Sequence, residues 1–156
     1  MVKQMTLHEV LEGAIQEEIK SRLLYVGLLQ RVKNQASKDA FQSLAEQEEA
    51  HQQVLEDYLH GRLKEGALDT GLVVDYKITD CLDQPEISPT MEIKDIFLLA
   101  AQKEKVAHDL YAGLSAIHSN GTVKHLLDNL ALQELEHKNR LETIYTEVAF
   151  PQTDGG

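Results

Sequence analysis

Hydrophobic residues recur every three or four positions along four long segments of the chain, which is the spacing of amphipathic α-helices. Polar and charged residues occupy most of the remaining positions, so each helix has one apolar face for a core. The predicted helices span about residues 6–30, 38–59, 89–118 and 122–146.

Local signals define the ends of these helices and the links between them. Thr6 followed by Glu9 forms a capping box, Ser37 is the predicted N-cap of the second helix, and Ser88 with Pro89 marks the start of the third. The short link between the first two helices makes them antiparallel, whereas the long segment 60–88 suits a crossover along a bundle. We therefore predict an all-α four-helix bundle built from two antiparallel helical hairpins.

The two hairpins are predicted to be copies of each other. Shifting the sequence by 86 residues places Glu18 on Glu104 and Tyr25 on Tyr111 without a gap. A shared leucine spacing would be ordinary, but these matches include polar residues of several types. The further identities are Leu28 with Leu114, Asn34 with Asn120, Gln47 with Gln133, Glu48 with Glu134, His51 with His137, and Glu56 with Glu142.

Each copy places a glutamate and a histidine three residues apart on an apolar helix face. Glu48 and His51 can present their side chains to one point, because residues three apart on a helix point the same way. Glu134 and His137 repeat this arrangement in the fourth helix. The lone Glu18 and Glu104 of the other two helices also lie on apolar stripes, so four carboxylates are expected in one core.

Buried carboxylates need a positive partner, because an isolated buried charge costs several kcal/mol. Two divalent metal ions carry the charge that balances four glutamates beside two neutral histidines. A glutamate from each of two helices plus a Glu-x-x-His from each of the other two is the ligand set of ferritin-like di-iron and di-manganese proteins.

With these motifs the chain resembles the rubrerythrin branch of the ferritin-like superfamily from about Thr6 to Glu147. The resemblance implies a ferritin-like bundle with two iron ions, although Mn or Zn would accept the same ligand types. It also implies that Glu48 and Glu134 bridge the two ions. The implied metal ligands are Glu18, Glu48, His51, Glu104, Glu134 and His137.

The family's usual chemistry is reduction of hydrogen peroxide or dioxygen, or oxidation of ferrous iron. Rubrerythrins of the best-known type contain a four-cysteine rubredoxin-like domain, which Cys81 alone cannot form. We therefore expect a di-iron peroxidase or oxygen reductase that receives electrons from an external donor such as a rubredoxin. The alternatives are a ferroxidase related to ferritin and a non-catalytic metal-binding bundle. The resemblance also implies a homodimer.

Three further residues are candidates for a catalytic role. Tyr25 and Tyr111 are either core aromatics or donors of hydrogen bonds to ligand carboxylates, and their positions favour the second interpretation. His108 lies one turn after Glu104. Rubrerythrins of the best-known type have an additional carboxylate one turn beyond this glutamate, where this chain has Ala107 followed by His108. It is a seventh metal ligand, a proton donor or a histidine at the edge of the core.

Composition limits the classes of partner and the cellular location that we expect. A net charge of −11 argues against nucleic acid or anionic membrane as partners. The chain lacks an apolar run typical of a signal peptide or a membrane span, and its single cysteine fits a reducing compartment. We expect a cytoplasmic protein with one domain over residues 1–148 and a flexible tail over 149–156.

Overall fold

The computed structural model describes residues 5–61, 73–74, 87, 91–119 and 121–149. Four long helices dominate it, in agreement with the predicted four-helix bundle. None of the helices in this part of the chain combines the length and apolar character needed to cross a membrane. The elements are β1 (Met5–Thr6), α1 (Leu7–Leu29), α2 (Gln35–Leu59), β2 (Val73–Val74), α3 (Ile93–Ala116) and α4 (Thr122–Ala149).

Helix α1 begins where its sequence predicts. The Oγ1 atom of Thr6 accepts a hydrogen bond of 3.2 Å from the Glu9 N–H, so Thr6 is the N-cap. Just before it, strand β1 pairs antiparallel with β2, which belongs to the segment between the hairpins. Most of that predicted crossover, with Cys81, lies outside the described residues.

Helix α2 begins earlier than predicted, and Ser37 is not its cap. The carboxamide oxygen of Asn34 accepts hydrogen bonds of 2.7 and 3.3 Å from the Ala36 and Ser37 N–H groups. Asn34 thus satisfies two of the N–H donors that a helix start leaves unpaired, and Ser37 becomes a buried residue of the first turn. The helix ends before Gly61, whose φ of 67° suits a residue without a side chain.

Helices α3 and α4 differ from their predicted limits at one end each. Helix α3 begins at Ile93, later than predicted, and its N-cap Glu92 makes no capping hydrogen bond through its side chain. Ser88 and Pro89 lie outside the described residues. Helix α4 continues to Ala149, beyond the predicted end, and the rest of the predicted tail also lies outside the described residues.

The helices pack as two antiparallel hairpins, α1 against α2 and α3 against α4. Two apolar clusters fill the bundle, and on each helix the predicted metal ligands fall between residues of one cluster and residues of the other. In one cluster the Phe41 ring stacks 6.1 Å from Tyr25 and 5.4 Å from Phe97, measured between centroids. The polar centre of the bundle is therefore enclosed by apolar side chains along the bundle's length.

Candidate metal centre

The structure brings all six predicted ligand residues into the centre of the bundle. Helix α1 supplies Glu18, α3 supplies Glu104, and α2 and α4 each supply a glutamate and a histidine. Each of the six residues is no more than 3% exposed, so water cannot solvate their charges. The six are Glu18, Glu48, His51, Glu104, Glu134 and His137.

These side chains form two overlapping groups. In each group four potential ligand atoms lie within 4.8 Å of one another. Glu48 and Glu134 belong to both groups, which is the placement expected of carboxylates that bridge two ions. The first group adds Glu18 and His51 to the shared pair, and the second adds Glu104 and His137.

One nitrogen or oxygen atom of each of the six residues is buried without a hydrogen bond. His51 Nδ1 lies 2.6 Å from Glu134 Oε1, and His137 Nδ1 lies 2.8 Å from Glu48 Oε1, but neither contact has hydrogen-bond geometry. Buried polar atoms are rarely left unpaired in folded proteins. Carboxylate oxygens and imidazole nitrogens that converge in this way fit two divalent cations, whose charge would balance the four glutamates. The unpaired atoms are Glu18 Oε2, Glu48 Oε1, His51 Nδ1, Glu104 Oε2, Glu134 Oε1 and His137 Nδ1.

The electrostatics of the metal-free cluster favour retained protons on the shared glutamates. Burial, together with the charges of Glu104 and Glu18, raises the pKa of Glu48 well above its usual value. Burial and the neighbouring carboxylates do the same to the pKa of Glu134. Burial also acts to raise the pKa of Glu18, but the close approach of Glu48 and His51 outweighs it and the pKa is lowered. Metal ions bound here would displace protons from the shared pair.

Two tyrosines contact the cluster, each across the bundle. The Tyr25 hydroxyl of α1 donates a hydrogen bond to Glu104 of α3, and the Tyr111 hydroxyl of α3 donates one to Glu18 of α1. Burial and the adjacent carboxylate charges raise the pKa of both phenols well above the usual value, so both remain donors at neutral pH. Of the two interpretations considered for these residues, the structure agrees with hydrogen bonding to a predicted ligand.

Two glutamines hold the histidines by the same crossed pattern, and their role was missed in the sequence. His51 Nε2 lies 2.6 Å from Gln133 Oε1, and His137 Nε2 contacts Gln47 Oε1. An acceptor at Nε2 places the ring proton there and leaves Nδ1 free as a ligand atom. The signal that could have revealed these glutamines is their identity in the internal repeat.

The structure does not bring His108 into either group. The side chain is 25% exposed, and its Nδ1 lies 3.0 Å from the carboxylate of Asp109 on the surface of α3. Of the interpretations considered for His108, this position agrees with a histidine at the edge of the core. Its predicted catalytic role has no support from the geometry.

The rubrerythrin family model matches residues 9–77 of the chain. This segment includes α2 and all but the first two residues of α1, and with them Glu18, Glu48 and His51. No curated protein shows significant similarity to the chain.

Two solved structures share the fold over nearly the whole chain. A hypothetical protein from Pyrococcus furiosus is 24% identical, with a TM-score of 0.75, and the match covers 96% of this chain and 94% of that one. A Thermotoga maritima protein, provisionally described as a ferritin-like diiron-carboxylate protein, is 20% identical, with a TM-score of 0.73 and coverage of 93% and 97%. The family model therefore matches the first hairpin of the chain, and the two solved structures share its fold.

Proposed function

We propose that the protein binds two iron ions in the six-residue cluster and reduces hydrogen peroxide or dioxygen. The observation that carries this proposal is the convergence of six unpaired, buried ligand atoms in two groups that share Glu48 and Glu134. A cluster with this charge and no cation would be strongly unfavourable in a bundle interior. The rubrerythrin match and the described diiron character of the Thermotoga maritima protein support iron as the metal.

Two bound ferrous ions would supply two electrons, enough with two protons to reduce H₂O₂ to two molecules of water or O₂ to H₂O₂. An external donor, such as a rubredoxin, would return these electrons. The cluster residues would hold the ions at fixed positions. Glu48 and Glu134 would bridge them, while Glu18 with His51 and Glu104 with His137 would each complete one site.

The residues around the cluster would keep these ligands in orientation. Tyr25 and Tyr111 hold one oxygen of Glu104 and Glu18 respectively, and the other oxygen of each carboxylate has no hydrogen bond and would be free to bind a cation. Gln47 and the equivalent glutamine of α4 hold the histidine protons at Nε2. Such partners of metal ligands commonly change metal affinity or activity 10- to 100-fold when removed.

The proposal is tested by loading the protein anaerobically with Fe²⁺ and mixing it with H₂O₂, and separately with O₂, in a stopped-flow spectrometer. We expect rapid appearance of ferric absorbance, with two irons per chain still bound afterwards. Glu48→Gln should abolish the two-iron loading because it removes a shared ligand. Glu46→Gln is the matched control, since Glu46 lies on the exposed face of the same helix and bonds only Gln42 among the described contacts.

Two other results would contradict the proposal and favour one of the alternative functions. Ferric iron that leaves the protein and is exchanged for fresh Fe²⁺ at each turnover would identify a ferroxidase. Tight binding of two ions without any reaction toward H₂O₂ or O₂ would identify a non-catalytic metal site, with Zn or Mn as candidate occupants.

A further inference from the structure

A small cavity reaches the candidate metal centre from one side of the bundle, between α1 and α3. Its volume is about 20 Å³, enough for roughly one water-sized molecule. All four cluster carboxylates line it, and neither histidine does. The carboxylate face of the centre is therefore the side at which a small ligand could arrive.

The cavity lies where the two halves of the internal repeat meet. Glu17 and Lys103 both line it, and the 86-residue shift places one on the other. Ser21 and Ala107 are a second such pair. Residues at equivalent positions of the two halves therefore contribute jointly to the lining beside the carboxylates.

An ion pair occupies the outer end of this cavity. Lys103 Nζ lies 3.5 Å from Glu17 Oε2, and the two side chains are 13% and 20% exposed. The four cluster carboxylates are at most 3% exposed, so the pair belongs to the more exposed part of the cavity lining. Lys20 Nζ also lies 3.5 Å from Glu17, through Oε1, but Lys20 is 48% exposed and does not line the cavity.

We propose that this cavity is the entrance through which a divalent cation reaches the metal centre, and that the Glu17–Lys103 ion pair closes it. Opening requires only that two long, partly exposed side chains separate, without any movement of the helices. The inference rests on the proposed metal-binding function, because an entrance needs a centre to serve. It assigns Glu17 and Lys103 a gating role that is separate from metal coordination.

The test uses Co²⁺ as a probe that requires no redox reaction. Metal-free protein is mixed with Co²⁺ and followed by visible absorbance, and release is then measured with an excess of chelator. The variants are Glu17→Ala, Lys103→Ala and the double variant, with Lys20→Ala as the matched control. The double variant removes one charge of each sign, so it opens the cavity without changing the net charge beside the centre.

We expect each single alanine variant to release Co²⁺ about fivefold faster than the wild type, the factor that corresponds to roughly 1 kcal/mol of ion-pair energy. The double variant should be no faster than either single variant, since both changes remove the same interaction. The double variant should also bind Co²⁺ about fivefold faster than the wild type, so its affinity for Co²⁺ should stay within about twofold of the wild-type value. Lys20→Ala should match the wild type.

A purely electrostatic influence of the two charges would give a different pattern. Glu17→Ala and Lys103→Ala would then change the release rate in opposite directions, and the double variant would resemble the wild type. That result, or release rates within about twofold of the wild type in all variants, would overturn the gate while leaving the metal centre intact.

Failure of the wild type to bind Co²⁺ would overturn the centre and the entrance together. If the alanine variants do not fold, Glu17→Gln with Lys103→Met removes the same charges and keeps the side-chain lengths.

Discussion

The crossed hydrogen bonds predict that Tyr25→Phe weakens the metal site that contains Glu104, a residue of the opposite hairpin. The hydroxyl of Tyr25, on α1, bonds Glu104 on α3, whereas the glutamate of its own helix is held by Tyr111. Phenylalanine keeps the ring that stacks on Phe41, so the packing of the core is preserved. The expected loss is therefore confined to the ion that Glu104 would hold.

The magnitude follows from the burial of the bond. Tyr25 is 1% exposed, so no water can replace the missing hydroxyl beside the carboxylate. A hydrogen bond to a charged group contributes about 1.5–3 kcal/mol, which corresponds to a loss of roughly 10- to 100-fold in affinity. The second site, which contains Glu18, should change by less than about threefold because it does not contact this hydroxyl.

The assay is a Co²⁺ titration of the metal-free protein by calorimetry, with the two sites resolved by a second substitution. Tyr25→Phe should add little to the effect of Glu104→Gln but should add fully to that of Glu18→Gln. Tyr58→Phe is the matched control, since Tyr58 is 2% exposed and its hydroxyl bonds His118 instead of the cluster. Equal weakening of both sites, or weakening of the Glu18 site alone, would refute the reasoning.

Three further predictions concern stability. Burial raises the pKa of Glu48 and Glu134 in the folded, metal-free protein. Their contribution to stability is therefore fully present below the unfolded pKa of about 4.3, and it is lost as pH rises through the higher folded pKa values. The wild type should therefore lose stability with rising pH relative to Glu48→Gln in chemical denaturation, and a constant difference between pH 4 and 8 would argue against this. Phe41→Ala removes a fully buried ring between two aromatic neighbours and should cost about 3–5 kcal/mol in urea unfolding; a cost below about 1 kcal/mol would contradict the packing. Asn34→Ala should cost about 1 kcal/mol through the lost cap of α2, and thermal unfolding that does not change would show that the cap is elsewhere.

Most of what could be predicted about the metal centre from the sequence came from the internal repeat. Helix periodicity placed the glutamates and histidines on apolar faces, and the constant offset showed that two weak Glu-x-x-His signals belong together. Their burial at 3% exposure or less follows from those faces. Charge balance then predicted a cation, because four ionised carboxylates in an apolar interior are strongly unfavourable without one.

The crossed contacts could not be predicted in the same way. The 86-residue shift relates Tyr25 to Tyr111 and Gln47 to Gln133, but it relates equivalent residues and not residues in contact. Which tyrosine reaches which carboxylate depends on how the two hairpins face each other. That arrangement is a property of the packed bundle, and it places each tyrosine and each glutamine against a predicted ligand of the other half.

Helix starts were the least predictable part of the fold. Both Asn34 and Ser37 are good N-cap residues, and local sequence does not rank them clearly. The structure selects Asn34 because a start there buries Ser37 and still satisfies two backbone donors. His108 illustrates the same limit. Its position one turn after a predicted ligand suggested a role, but its side chain is 25% exposed and lies beside Asp109.

The most direct test of the account is the position of the metal ions. Crystals grown anaerobically with Fe²⁺ should give two peaks of anomalous scattering at the iron edge inside each bundle. We predict one peak among Glu18, Glu48, His51 and Glu134, and the other among Glu48, Glu104, Glu134 and His137. No peak in the bundle interior, or one peak that contacts residues of a single hairpin, would contradict the claim that two copies of a helical hairpin together build one dinuclear centre.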